Sequence, residues 1–321
     1  MTPWARWRDG LRALPLDVPH LSPAGARLAW DDAVDALTDA AAESLRGPAA
    51  RRTGVVGPTT VFTAPLPFVA GILWRGGEAV WKAPRGQSAM AVAVAKLAQI
   101  HGLPLVATES RDALIGCERI IATVSDATAA ELAGSLGDRL VAFGHRYAVA
   151  WVTDVGEVEG IARDLASHDG RGCMAPTTVF TPLPNVVPAL VEALDRAAAR
   201  WPQGPLTDVE GARHRERALL AQALGRVTRA RRAEVHELPP SAFEPDRPGR
   251  HPVVHHVRDV HEAVATLGPY ARWLGGVAAT RDEATWHKAG ATRVVAPGTL
   301  SRPRWDGRHD GVAWLEAVLR G

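Results

Sequence analysis

Cysteine is scarce in this chain: only Cys117 and Cys173 occur among 321 residues. That count excludes a disulfide scaffold, and any thiol chemistry must rest on a single residue. An excess of charge of one sign is also missing. The 37 basic and 35 acidic side chains are interleaved and leave a formal charge of +2, so no broad basic surface for a nucleic-acid partner is implied. Long hydrophobic runs are absent as well. No stretch approaches the ~20 apolar residues needed to cross a bilayer, and no continuous apolar core follows Trp4, Arg6, Trp7 and Arg8, so the N-terminus does not resemble a secretory signal. These absences lead us to expect a cytoplasmic protein with reduced thiols, no membrane insertion and no internal repeat.

What is present is a composition of 46% hydrophobic and 22% charged residues, enough to bury a large core in two lobes around a cleft. Residues 1–50 read as an alanine-rich lead-in with one helical pattern from Asp31 to Leu45, and with Trp4 and Trp7 placed to dock on the body. From Thr53 short apolar runs alternate with helical patterns, the texture of βαβ units and a mainly parallel sheet. Strands are expected at Glu78–Lys82, Arg119–Thr123, Leu140–Phe143, Tyr147–Val152, Thr177–Thr181, Val253–Val257, Gly276–Ala279 and Arg293–Ala296, with helices between them. The basic cluster Arg226–Arg232 reads as a solvated helix end, and Pro239–Pro252 as a surface loop over the cleft.

Cys173 follows Asp169-Gly170-Arg171-Gly172 and precedes Met174-Ala175-Pro176 and a strand, which places it on a tight loop. Such a loop suits a thiolate nucleophile whose neighbouring N–H groups stabilise an oxyanion. A small buried apolar cysteine is the alternative. Cys117 lacks the glycines and the proline and reads as structural. His251, His255, His256 and His261 do not promise a shared metal, because the adjacent His255 and His256 point to opposite faces of a strand, and no metal site is expected.

The segment from Asp164-Leu165 to Cys173-Met174-Ala175-Pro176 resembles the cysteine loop of the fatty acyl-CoA reductases (LuxC type) of the aldehyde dehydrogenase superfamily. Val141-Ala142-Phe143-Gly144-His145-Arg146 resembles the Gly-His-Arg segment of the same family. Ala79-Val80-Trp81-Lys82 resembles its cofactor-strand lysine, and Arg302-Pro303 with His309-Asp310-Gly311 its C-terminal signature. The resemblance runs in family order from about residue 53 to 315. It implies an α/β, aldehyde dehydrogenase-like fold with a Rossmann-like cofactor lobe and a catalytic cysteine lobe, shortened at the N-terminus. The corresponding divisions are 1–50 for the lead-in, 51–155 for the nucleotide-binding lobe, 156–300 for the cysteine lobe, and 301–321 for a segment returning to the cofactor lobe.

The implied reaction is reduction of a fatty acyl-CoA or acyl-carrier thioester to the aldehyde through a thioester on Cys173. Hydride resolves that thioester, so no strong general base is needed and water must be kept out. His145 is a candidate acid toward the alkoxide or a holder of the cofactor pyrophosphate, and equally a histidine that ties down a turn. Lys82 is the resemblance's ribose ligand, or a solvated strand end. Arg85 is placed for a 2′-phosphate, which favours NADPH over NADH. Ser125 and Asp126 open a helix, where they bind phosphate or simply cap. Expected partners are the acyl thioester and either a second copy or an acyl-transfer or synthetase subunit.

Besides the shortened N-terminus, two departures from the family pattern stand out. The Gly-Asn pair that donates an amide to the oxyanion is replaced by Gly57-Pro58-Thr59-Thr60. Losing one such donor costs on the order of a hundredfold to a thousandfold in turnover, so Thr59 or Thr60 must substitute. Val124 stands where the family places a glycine before its cofactor helix. Both departures also suit a degenerate paralogue that binds acyl thioester or a partner reductase without reducing anything. A cysteine acyltransferase or thioesterase is a further reading, for which no activating His–Asp pairing is evident.

Overall fold

A computed structural model describes residues 1–245, 249–302 and 304–313. The chain forms two units, one from Met1–Val18, Ala29–His145 and Pro303–Gly321, the other from Pro19–Leu28 and Arg146–Arg302.

The lead-in forms three helices, α1 (Pro3–Leu11), α2 (Pro23–Asp35) and α3 (Asp39–Ser44), in place of the single helix expected from Asp31 to Leu45. Local capping explains the difference. Thr2 accepts from Ala5 N–H ahead of Pro3, and Thr38 accepts from Ala41 N–H, starting a new helix where the apolar pattern runs on. Trp4 and Trp7 are buried in the first unit, as the docking reading required. Their indole N–H groups donate to Ala70 O (3.2 Å) and Val94 O (3.4 Å), so the burial leaves neither donor unsatisfied.

The first unit is built on a parallel sheet, β1 (Thr53–Val56), β2 (Ala79–Lys82), β3 (Leu105–Thr108), β4 (Arg119–Thr123) and β5 (Leu140–Phe143), in the order β3-β2-β1-β4-β5. The crossovers use α4 (Leu66–Trp74), α5 (Ala89–Ile100) and α6 (Asp126–Leu136). β1 is buried at all four positions, as a central strand covered on both faces must be. The chain order reverses between β1 and β4, giving a Rossmann-like switch point. Trp305 from the C-terminal segment stacks on Trp4 (5.5 Å between centroids) and donates to Pro67 O at 2.9 Å. Asp310 and Gly311, both at positive φ, form the two-residue turn between β13 (Arg308–His309) and β14 (Val312–Ala313). Pro303 of the C-terminal motif lies outside the described residues.

The second unit runs β6 (Tyr147–Trp151), α7 (Val158–Ala166), β7 (Thr178–Thr181), α8 (Val186–Arg200), α9 (Asp208–Leu224), β8 (Arg226–Arg229), β9 (Glu234–Glu237), β10 (Val253–His256), α10 (Val260–Leu267), β11 (Leu274–Ala278), α11 (Glu283–Lys288) and β12 (Arg293–Val295). Its sheet order is β12-β11-β6-β7-β10-β9-β8, with β8 antiparallel to β9 and the other pairs parallel. Two sequence expectations are corrected here. β6, placed in the nucleotide-binding lobe by the boundary at 155, pairs with β7 and β11 and belongs to this sheet. The basic cluster from Arg226 begins a strand, not a helix end. Gly225 stops α9 where a Cβ would lie 1.9 Å from Glu237 O, and the β-branched Val227 and Thr228 pair with β9.

Candidate active site

Cys173 lies on the loop between α7 and β7, half-buried and present as a thiol. α7 is anchored below it. Gly160 lets the helix pass beneath Pro297, where a Cβ would meet backbone at 2.4 Å. The buried Asp164 carboxylate accepts from Gly298 N (2.7 Å), Ser301 N (3.1 Å) and Ser301 Oγ (2.9 Å). Burial raises the Asp164 pKa, and these donors oppose the rise.

Between α7 and the thiol the backbone makes a left-handed passage, with φ of 53° at His168, 56° at Asp169 and 68° at Gly170. Left-handed non-glycine residues persist only where their surroundings enforce them, at about 1–3 kcal/mol each. The enforcing contacts are buried ion pairs. Asp169 accepts from Arg250 Nε (2.7 Å), Arg171 (3.1 Å) and Gly204 N (2.9 Å). Arg250 also donates to the carbonyls of Ala166 and Trp201. Arg171 forks onto both oxygens of Glu210 at the start of α9 (2.6 and 3.1 Å) and donates to His20 O and Pro205 O. That fork, with the backbone N–H of Thr207, holds the Glu210 carboxyl down at about 2. The thiol therefore sits two residues beyond a fully paired clamp. Sequence reasoning missed Arg250 and Glu210.

Beyond the thiol, Ala175 N–H donates to Gly172 O and Thr177 N–H to Ala175 O, so these two amides are already engaged. Met174 packs over β11, where Cβ atoms on Gly275 and Gly276 would lie 3.2 Å from its Cε and 2.9 Å from its Sδ. Arg146, at the start of the second unit, meets the same glycine, with 3.0 Å between its Cβ and a Cβ on Gly275. A cavity of about 400 Å³ elsewhere in this unit is lined by alanines of α7 and α8 with Gln203, Arg232 and Arg250, and Cys173 is not in its wall.

The remaining sequence candidates lie at or just after the carboxyl ends of strands in the first unit's sheet, where open α/β sheets bind ligands. Thr59 and Thr60 follow β1 and are exposed, after a half-buried Pro58. Lys82 ends β2. Burial and the nearby cations Arg111 and Arg85 lower its pKa, while Glu109 opposes them. Lys82, Arg85, Glu109 and Arg111 thus gather over β2 and β3. Ser125 Oγ caps α6 by accepting from Thr128 N–H (3.3 Å). The Asp126 carboxylate accepts the backbone N–H of His145 (2.6 Å), and a Cβ on Gly144 would lie 2.2 Å from it. The structure thus joins Asp126 to the Gly144–His145 turn, a pairing the sequence did not show. Val124 packs against the cluster of Val56, Val80, Ile120 and Leu132, and its N–H donates to Phe143 O.

Cys117 is buried, which raises its thiol pKa, consistent with a structural residue. His255 is buried with Nδ1 near Leu238 O, and its neighbour His256 is exposed. Of the same histidine group, His251 lies 4.2 Å from His214 between ring centroids, and His214 and His236, which the sequence reading did not consider, converge beside it.

Two parallel-sheet units, with a thiol on a clamped loop in one and a switch-point sheet in the other, define an aldehyde dehydrogenase-like protein. The acyl-CoA reductase (LuxC) family matches residues 120–321, well over half the chain, and the chain belongs to that family. The match includes Ser125, Asp126, His145 and Cys173, while Thr59, Thr60, Lys82 and Arg85 precede it. Membership places the chain among oxidoreductases of acyl and aldehyde groups. Solved structures with the same fold include methylmalonate-semialdehyde dehydrogenase from Oceanimonas doudoroffii (17% identity, TM-score 0.72, covering 94% of this chain and 77% of that one). Another is Thermus 1-pyrroline-5-carboxylate dehydrogenase with bound NAD (14%, TM-score 0.70, covering 99% and 78%). A third is an NADP-dependent enzyme from E. coli (16%, TM-score 0.70, covering 92% and 77%). No curated protein matches. No helix among the described residues is long and apolar enough to cross a membrane.

Proposed function

We propose that the protein reduces a fatty acyl thioester, acyl-CoA or acyl-carrier, to the aldehyde with NADPH. The carrying observation is the placement of Cys173, half-buried and two residues beyond the Asp169–Arg171–Arg250 clamp. In the first step the Cys173 thiolate attacks the acyl carbonyl, a carbon–sulfur bond to the enzyme forms, and the bond to the carrier thiol breaks. Thioester is exchanged for thioester, so the step is nearly balanced and the clamp's part is orientation. The nicotinamide, when bound, supplies hydride to the acyl carbon, releasing aldehyde and restoring the thiolate. His145 is proposed to donate a hydrogen bond to the alkoxide that exists until the carbon–sulfur bond to Cys173 breaks, the proton taken up overall going to the departing carrier thiolate, and Thr59 or Thr60 is the proposed oxyanion donor.

The residues fit a nicotinamide dinucleotide at the carboxyl edge of the first unit's sheet. Lys82 is the proposed ribose ligand and Arg85 the proposed partner of a 2′-phosphate, which is the reason for proposing NADPH over NADH. Ser125 and Asp126 contribute indirectly, since their side chains already hold the helix cap and the His145 turn. The proposed setting is cytoplasmic, with a second copy or an acyl-supplying subunit as partner.

The test is to mix the purified chain with a long-chain acyl-CoA and NADPH and follow cofactor absorbance, thiol release and labelling of Cys173. The proposal expects all three, with aldehyde formed, and their loss in Cys173→Ser. Thiol release and a labelled Cys173 without cofactor oxidation would indicate acyl transfer instead. The exposed Thr59 and Thr60 beside Pro58 favour a second reading, a non-reducing paralogue, which predicts neither label nor oxidation.

A further inference from the structure

Far along the second sheet, away from its centre, three side chains of metal-binding type converge. His214 comes from α9, and Glu234 and His236 from β9. One potential ligand atom of each lies within 4.8 Å of the others. The secondary structure dictates the meeting. Glu234 and His236 are two apart on a strand and share a face, and α9 packs across β8 and β9 on that side. Glu234 Oε1 is 2.5 Å from His236 Nε2 and 3.6 Å from His214 Nε2. The other carboxylate oxygen is held by Arg229 Nε at 2.6 Å, which fixes Oε1 toward the two rings.

We propose that His214, Glu234 and His236 form a binding site for a divalent transition-metal ion of the zinc class. The His236 side chain is fully buried, and its Nδ1 has no hydrogen-bond partner among the described residues, nor do the Nδ1 atoms of His214 and His251. Buried polar atoms are rarely left so, and the three belong to neighbouring rings, those of His214 and His236 lying 5.9 Å apart between centroids. The His251 ring lies 4.2 Å from that of His214 and walls the site on one side. Two imidazoles with one carboxylate select zinc, cobalt or nickel over magnesium or calcium, which take oxygen ligands. Tetrahedral ligands at about 2.05 Å from zinc stand about 3.3 Å apart. The His214–Glu234 separation already suits that spacing, and the His236–Glu234 pair opens by under 1 Å. Arg229 orients the carboxylate as outer partners of metal ligands do.

A bound ion would pin α9 to the sheet. Glu210, one helical turn before His214 on the same face, holds Arg171 of the cysteine loop, so the pin and the loop clamp share one helix.

The experiment titrates the full-length, chelator-treated chain with Zn2+ by calorimetry, with Co2+ as a spectroscopic probe. One ion should bind per chain, Co2+ should show the visible bands of tetrahedral coordination, and Zn2+ should raise the thermal midpoint. His214→Ala with His236→Ala should weaken binding by at least about a hundredfold, more than outer-partner losses cost, while Cys173→Ser leaves it intact. Should the double variant fail to fold, His214→Gln alone must still lose the Co2+ bands. The proposal is overturned if Zn2+ shows no saturable binding, or if binding survives both histidine variants or disappears with the Cys173 thiol. Reductase activity plays no part in the readout, so the outcome is independent of the acylation assay.

Discussion

At the scale of single residues, the electrostatic keystone is Asp169. It is about 1% exposed and opposes two guanidiniums that are themselves nearly buried. Arg171 has Glu210 as a second counter-charge, whereas the other partners of Arg250 are neutral carbonyls. Asp169→Asn should therefore strand the Arg250 charge, and breaking a buried pair in this way costs about 3–5 kcal/mol. Denaturant midpoints should fall accordingly, and the rate at which Cys173 labels with acyl-CoA should fall with them. A variant of unchanged stability would mean that the clamp does not hold the loop. Of this clamp, Asp169 and Arg171 stood in the sequence beside the thiol. Arg250 lies 81 residues from Asp169, and Glu210 39 from Arg171, with no pattern to connect them. The loop that carries the thiol was legible because glycines, a turn and a proline surround it. Its supports were not, because ion pairs across the fold leave no local periodicity.

At the scale of elements, the turn out of α7 shows what a glycine does where a second chain segment arrives. Gly170 has φ +68° and faces Gly249 O, which a Cβ would approach to 2.2 Å. Gly76, after α4, has the same φ of +68° with nothing within 4 Å. Gly76→Ala should thus cost only left-handed strain, about 1–2 kcal/mol. Gly170→Ala should add about 1–3 kcal/mol of overpacking and slow acylation of Cys173. Urea titrations of the two variants measure the difference, and equal losses would refute the clash. Element positions were largely legible, because apolar runs and caps are local. The errors came where local signals competed. Thr38 broke a continuous apolar pattern into two helices, and an arginine-rich stretch that looked solvated became a sheet edge because Val227 and Thr228 pair with β9. β6 read correctly as a strand and wrongly as a member of the first sheet, since its neighbours β7 and β11 are decided by topology rather than by its own residues.

At the scale of the whole molecule, the α/β class was legible from alternation alone, while the acid response depends on burial that no sequence shows. His168 is about 6% exposed, and burial, with His20 nearby, lowers its pKa to about 3. A base whose pKa is lower in the folded state takes up its proton in the unfolded chain first. Its contribution is therefore complete above its ordinary value of 6.5 and is lost as pH falls from there toward 3. Between pH 7 and pH 5, above the ordinary range of carboxylates, this one group should remove about 2 kcal/mol at 1.36 kcal/mol per pH unit. His168→Asn keeps a residue tolerant of the left-handed φ of 53° but cannot take the charge. The parent chain should lose about 2 kcal/mol more than this variant between those two pH values in urea titrations, a difference that follows from linkage alone. Parallel losses in the two proteins would show that His168 reaches water, or a proton-accepting partner, before the chain unfolds. If it is water that His168 reaches, the passage leading to Cys173 opens in the folded state, and the clamp described above does not keep it shut.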